Sequence, residues 1–162
     1  MTSLKKLLAG AALAALAACA TGETLVRPPA SSTASGPIDE SHIGTLAPRK
    51  LAAGECGLFL WSKAADRSLI FFNTRAGAGK MKLGGREVDL VRTSADGAEL
   101  LGQFERQTFS YETLLVEIEM SFERRPGLAR GALVPQGAVR LKRDDGWEYI
   151  FPVGGLVGCE EA

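Results

Sequence analysis

Histidine is almost absent from this sequence, and its scarcity limits the chemistry that the chain can perform. His42 is the one histidine among 162 residues, and no Gly-x-Ser-x-Gly segment occurs. A serine hydrolase of the usual kind needs a histidine base beside its nucleophile. We therefore expect no hydrolytic triad, and a hydrolase is the least favoured function for this chain.

Net charge and long apolar runs are also lacking. Lysine plus arginine and aspartate plus glutamate balance at 19 each, so the composition does not indicate a nucleic-acid partner. Outside the N-terminus no apolar run reaches the roughly 18 residues that a membrane-spanning helix needs. Hydrophobic residues make up 46% and aromatic residues 7% of the chain, which fits one domain with a modest supply of large core side chains.

The N-terminus has the three parts of an export signal. Lys5 and Lys6 precede an apolar stretch over residues 7–18, and small residues then meet Cys19. The segment Leu16-Ala17-Ala18-Cys19 resembles the lipobox of bacterial lipoproteins. The resemblance implies cleavage before Cys19 and a diacylglycerol on its thiol, which would make the lipid bilayer a partner through the acylated cysteine. An ordinary secretory signal that ends by chance at a cysteine is the alternative.

The residue after the lipobox cysteine bears on destination. Ala20 stands where aspartate would follow the lipidated cysteine in an inner-membrane lipoprotein of the enteric type. By resemblance to enteric lipoproteins, the protein would be anchored in the outer membrane and face the periplasm.

The two remaining cysteines, Cys56 and Cys159, are an even number in an oxidising compartment, and we expect them to form a disulfide. The bond would close a loop of about 100 residues and stabilise the domain by roughly 4 to 5 kcal/mol. Two buried thiols are the alternative. A metal site is less favoured, because no histidine or further cysteine is near either residue in the sequence.

Residues 19–53 have the composition of a disordered tether. They contain no aromatic residue and no sustained period, and proline and serine are frequent. Such a segment cannot bury enough apolar area to offset the entropy lost on ordering. His42 falls in this segment, where we expect it to be exposed. The predicted organisation is a signal peptide (1–18), a lipidated tether (19–53) and a globular domain (54–162).

Within the globular domain, short apolar runs alternate with turn residues, which is typical of an all-β meander. Strands are expected at Cys56–Ser62, Leu69–Thr74, Lys80–Leu83, Arg86–Arg92, Gln103–Phe109, Leu114–Glu123, Ala138–Arg143 and Trp147–Val153. Apolar side chains occupy every second position of Leu114–Glu123, which predicts one buried and one solvated face. The fold predicted is a small antiparallel β-barrel or sandwich of about seven strands, pinned by the disulfide.

Three features resemble functional motifs but fit a structural role better. Gly77-Ala78-Gly79-Lys80 lacks the first glycine and the hydroxyl residue of a phosphate-binding loop, and is better explained as a hairpin connection. Glu117, Glu119 and Glu123 fit a solvated strand face better than a glycosidase pair. The aromatic residues fit a packed core better than a ligand cavity. We predict no metal, no cofactor and no catalytic residue.

The segment Ser94-Ala95-Asp96-Gly97-Ala98 is similar to a loop of the membrane-bound inhibitors of c-type lysozyme, which are lipid-anchored, disulfide-containing small β-barrels. In that family the loop serine enters the lysozyme cleft, so the resemblance implies a partner-binding role for Ser94. An ordinary turn is the alternative, because Ser, Asp and Gly are also common turn residues.

These features predict a bacterial envelope lipoprotein whose β domain is not an enzyme and acts as a binding or structural module. Its partner would be an unknown envelope protein or a small molecule. The alternatives are a carrier of small apolar ligands and a lysozyme-inhibitor-like protein. A filled barrel would favour protein contacts, whereas an open apolar cavity would favour a ligand.

Overall fold

The computed structural model describes residues 42–162. The predicted signal peptide, the lipid site at Cys19 and the tether up to residue 41 lie outside the described residues. The described part is all-β, as predicted, with these strands: β1 (Ile43–Gly44), β2 (Cys56–Ser62), β3 (Leu69–Thr74), β4 (Ala78–Leu83), β5 (Arg86–Leu100), β6 (Gln103–Tyr111), β7 (Leu114–Met120), β8 (Gly131–Arg143) and β9 (Glu148–Cys159). No helix among residues 42–162 is long and apolar enough to cross a membrane.

Eight strands form a closed antiparallel barrel. From β2 to β9 each strand pairs with the next one in sequence, and β9 returns to pair with β2. The predicted antiparallel barrel or sandwich is therefore a barrel. The ninth strand, β1, pairs with Lys82 and Leu83 of β4, next to the residues of β4 that pair with β3.

The turns of this up-and-down barrel lie at two ends. One end holds the β3–β4, β5–β6 and β7–β8 connections, with the start of β2 and the end of β9; we call it the disulfide end. Cys56 and Cys159 are register partners there and form the predicted disulfide. The other end, which we call the mouth, holds the remaining four connections and β1. The disulfide joins the first and last barrel strands, as expected.

Side chains fill the barrel interior. Phe71 and Phe109 are fully buried and pack edge to face, with ring centroids 5.1 Å apart. The inward residues of β7 are at most 5% exposed, which confirms the alternation read from the sequence: Leu114, Val116, Ile118 and Met120. These residues belong to one core cluster with Leu58, Leu60, Ile70, Met81, Val88, Leu90, Val134, Val139, Leu141, Phe151, Val153 and Val157. The barrel has a packed core.

Residues 45–53, which we call the strap, cross the outside of β2 and β3. Leu46 is 2% exposed and packs against Leu69 and Phe72, and Leu51 packs on the same cluster. The Leu46 N–H donates to the Leu69 carbonyl at 2.7 Å. The prediction of a tether through residue 53 is wrong for residues 42–53, because their few apolar side chains cover apolar groups that β2 and β3 turn outward.

His42 is half-buried beside the mouth, so its predicted exposure in a tether is also wrong. Its carbonyl accepts a hydrogen bond from the Gly84 N–H at 2.9 Å. The β4–β5 turn and the entering chain are thereby joined.

Five strands extend beyond their predicted limits: β4 begins at Ala78, β5 continues to Leu100, β6 continues to Tyr111, β8 begins at Gly131 and β9 ends at Cys159. β7 ends at Met120 and is shorter than the predicted Leu114–Glu123. Bulges interrupt the pairing of β5 with β6 and of β8 with β9. Because a bulge takes up extra residues and bends the strand, segments rich in small, polar or proline residues stay within the sheet.

Candidate functional site

The register of the barrel arranges outward side chains in rows across the strands. One row runs from β5 to β9 through successive partners: Ser94, Thr108, Glu117, Arg140 and Ile150. The next row contains Asp96, Arg106, Glu119 and Ala138. Side chains in neighbouring rows lie two residues apart on each strand and therefore share one face of the sheet.

A groove of about 560 Å³ lies over these two rows; we call it the outer groove. Ser94, Thr108 and Ala138 contribute short side chains to its lining, and Lys142 adds a cation. Longer charged side chains from the same rows stand around these short ones. The sequence-predicted residue Ser94 is thus brought together with residues of four other strands.

Ion pairs connect the β7, β8 and β9 side of the outer groove. Glu117 accepts a hydrogen bond from Lys142 Nζ at 2.9 Å and lies 3.7 Å from the Arg140 guanidinium. Arg140 also pairs with Glu148 on β9. Cations and carboxylates therefore alternate along this side, and neither sign dominates the surface.

A separate ion pair spans β5 and β6. The Arg106 guanidinium donates from both Nε and Nη2 to one carboxylate oxygen of Asp96, with an Nε distance of 3.0 Å. This hydrogen bond, helped by the Gly97 N–H, holds the pKa of Asp96 below its ordinary value. The same contact raises the pKa of Arg106, and the nearby Glu119 acts in the same direction. Asp96 is therefore an anion at neutral pH and cannot serve as a proton donor there.

The prediction of a loop or turn at Ser94–Ala98 is wrong, because these residues lie within β5. Ser94 is paired with Thr108, and bulges occur on either side of the paired segment. Gly97 has φ of +87°, a conformation that glycine adopts at little cost, and the next N–H, of Ala98, donates to Glu105 Oε2 at 3.1 Å. Ser94 is exposed on a strand beside a groove, not at a protruding loop tip.

The other motifs take the structural roles expected of them. Gly77 has φ of +86° in the β3–β4 turn, and Lys80 on β4 pairs with Asp89 of β5. Glu117 and Glu119 lie on the outer face of β7. Glu123 lies beyond the end of β7, where Arg125 donates to it at 2.7 Å and lowers its pKa. A lowered pKa is opposite to what a glycosidase acid requires.

Sequence reasoning missed most residues of the outer groove. No sequence motif contains Arg106, Thr108, Arg140 or Lys142. Their positions, which alternate with inward apolar residues along the strands, are the only sequence signal that they face outward. Within residues 42–162 no group of three or more His, Cys, Asp or Glu side chains is placed to hold a metal ion.

Comparison with known proteins identifies no relative. The chain matches no protein family, no curated protein and no solved structure.

Proposed function

We propose that this protein is a bacterial envelope lipoprotein, anchored through acylated Cys19, whose non-enzymatic β domain is a binding module. The proposed location is the outer membrane, facing the periplasm. The outer groove is the proposed binding site, and its occupant is a polar segment of an envelope protein. Ser94 keeps its proposed partner-binding role, as a short side chain in that groove.

The packed barrel interior is the observation that carries this proposal. A carrier of the barrel type would need room where Phe71, Phe109, Leu58 and Leu60 are fully buried. Opening that room would require the loss of core contacts, each large side chain being worth several kcal/mol. Binding at the outer wall needs no such rearrangement.

The chemistry of the outer groove favours a polypeptide segment over an apolar molecule. Ser94 and Thr108 offer hydroxyls that both donate and accept hydrogen bonds, and Glu119 and Arg140 offer opposite charges. An extended chain with main-chain amides and side chains of both signs can match such a surface. Charge complementarity of this kind contributes more to partner selection and association rate than to affinity.

A bulky side chain in the outer groove tests the site. Ser94→Trp should block binding without changing the fold, because Ser94 is exposed. Thr113→Trp, in the exposed β6–β7 turn, is the matched control. A photo-crosslinking residue at position 94 should give a specific adduct in envelope preparations, and one at position 113 should not. Equal crosslinking at the two positions would contradict the proposal.

Purified c-type lysozyme is a defined partner for the same assay. Because Ser94 lies in a strand beside a groove, its side chain does not protrude as an inhibitor loop must. We expect no inhibition at micromolar concentrations. Inhibition that is lost in Ser94→Ala with an unchanged melting temperature would identify lysozyme as the partner instead.

The anchor is tested separately. Cys19→Ser should leave an uncleaved precursor that does not take up labelled fatty acid, whereas Cys159→Ser should still be processed and labelled. Two acyl chains bind a membrane far more durably than one, so the wild-type protein should stay in the membrane fraction after a salt wash. Normal processing of Cys19→Ser would contradict the lipid assignment.

A further inference from the structure

A second hollow, independent of the outer groove, lies at the mouth of the barrel. It has a volume of about 470 Å³ and is bounded by β1, the β2–β3 loop and the mouth ends of β3 and β9. Ile43, Ile70 and Phe151 give it an apolar base, and Ala64 and Ala65 line it from the loop. The volume is within the range of small-molecule sites.

The base of this hollow is the surface of the packed core. Ile70 and Phe151 belong to the core cluster and are 2% and 6% exposed, yet both line the hollow. An apolar group that entered would contact the core directly and remove apolar surface from water, without displacing any buried side chain. The site therefore differs from the barrel-interior cavity that the filled core excludes.

Charge is distributed unevenly around the β2–β3 loop. Of the described residues that line the hollow, Asp66 alone is charged. The two cations of the loop, Lys63 and Arg67, line a different depression, on the outer wall beside Trp61. Lys63 Nζ is also engaged, donating to the Pro135 carbonyl at 2.9 Å. The rim of the mouth hollow thus presents a carboxylate next to an apolar base.

We propose that the mouth hollow binds a small amphiphilic cation, with an alkyl or aryl body on Ile70 and Phe151 and a protonated amine beside Asp66. The serine hydroxyls of Ser62 and Ser68 also line the hollow and can accept hydrogen bonds from the ammonium group. An anionic amphiphile with the same body would meet repulsion from Asp66. This site does not depend on the function proposed for the outer groove.

A series of three probes with one body and different head groups tests the proposal: 4-phenylbutylamine, 4-phenylbutanol and 4-phenylbutyrate. They are titrated into the full chain carrying Cys19→Ser, with NMR shifts of Ile70 and Phe151 as the readout. The amine should bind about threefold more tightly than the alcohol, as expected for one solvent-exposed ion pair, and the carboxylate should bind most weakly.

Two variants and a control locate the site. Asp66→Asn should remove the preference for the amine while leaving the alcohol unchanged. Ala65→Trp should weaken all three probes, because it fills the loop side of the hollow. Asp144→Asn, an exposed carboxylate of the β8–β9 connection that does not line the hollow, should change nothing.

Three results would overturn the proposal. They are no binding of the amine at millimolar concentration, equal binding of amine and carboxylate, and a preference for the amine that persists in Asp66→Asn. None of them bears on the outer groove, because the outer groove and the mouth hollow share no lining residue.

Discussion

The two ends of the barrel are closed by different physical means. At the disulfide end, the Arg92 guanidinium donates to the Gly102 carbonyl at 3.2 Å and to Gln107 Oε1 at 3.1 Å. Gln107 Nε2 in turn donates to Gln103 Oε1 at 3.3 Å, and both glutamines are almost completely buried. Hydrogen bonds and a covalent bond therefore fix this end.

The mouth has an apolar character instead. Trp147, just before β9, is followed at alternate positions by Tyr149 and Phe151 of β9, with successive ring centroids 6.2 and 5.6 Å apart. Ile43 and Leu83 are partly buried against the same core. The comparison shows that one barrel can close one end with a polar network and a disulfide, and the other end with packed apolar side chains.

Loss of the disulfide should produce the largest effect. Cys56 and Cys159 are 103 residues apart, and closing a loop of that size stabilises a domain by roughly 4 to 5 kcal/mol. Replacing both by alanine should lower the urea midpoint strongly and loosen the disulfide end first. Urea unfolding followed by circular dichroism measures the change. Cys19→Ser is the control, and equal midpoints for the two variants would contradict the prediction.

The strap should stabilise the fold almost as much as the disulfide does, through its contacts with β2 and β3. Leu46→Ala removes a buried side chain from the cluster on β3 and should cost about 3 kcal/mol. Hydrogen exchange should then increase in β1 and at the start of β3 more than in β9 near Cys159. Ala47→Gly, at an exposed neighbouring position, is the control. No change in stability would mean that residues 42–53 behave as the tether originally predicted.

Breaking the polar network should have a moderate effect. Arg92→Met leaves Gln107 Oε1 and the Gly102 carbonyl without their donor and should cost about 2 kcal/mol. Arg75→Met is the matched control, because only the carbonyl of Arg75 takes part in the network. Urea midpoints measure both variants. Equal effects of the two substitutions would show that lost packing, not lost hydrogen bonding, is responsible.

Much of the fold could be predicted because the local patterns agree with the tertiary structure. β2 and β3 occupy their predicted ranges, since continuous apolar runs there are bounded by turn residues. β1 was missed because two residues carry no periodic signal. The second half of β5 was missed because Thr93 to Ala98 have the composition of a turn, and only the bulged pairing with β6 keeps them in the sheet.

The candidate site was less predictable. Ser94 was singled out as a loop residue, yet its neighbours in the outer groove come from strands up to 56 residues further along the chain. The register that brings Thr108 and Arg140 beside it depends on barrel closure, which no local pattern specifies. Asp66 at the mouth likewise belongs to no sequence motif and lies between two predicted strands.

The smallest predicted effect concerns the ion pair on the β5–β6 hairpin, whose turn contributes to the disulfide end. The hydrogen bond from Arg106 lowers the folded-state pKa of Asp96 below its unfolded value. Such a group stabilises the folded state at pH values above the unfolded pKa of about 3.9, and that contribution is lost as the pH falls through the folded pKa. Both side chains are exposed, so the effect on stability should be slight.

Arg106→Gln should raise the pKa of Asp96 toward its ordinary value, because the donor charge is removed. The Asp96 carboxyl carbon, followed by NMR through acid pH, measures the midpoint. Arg125→Gln is the matched control: it removes the corresponding partner of Glu123 and should raise the pKa of that residue alone. The small stability difference between wild type and Arg106→Gln should be present at pH 7 and vanish once Asp96 is protonated in both. If Asp96 titrates at the same pH in wild type and Arg106→Gln, the ion pair does not form in solution, and the hairpin depends on its strand pairing and on the hydrogen bonds of Arg92.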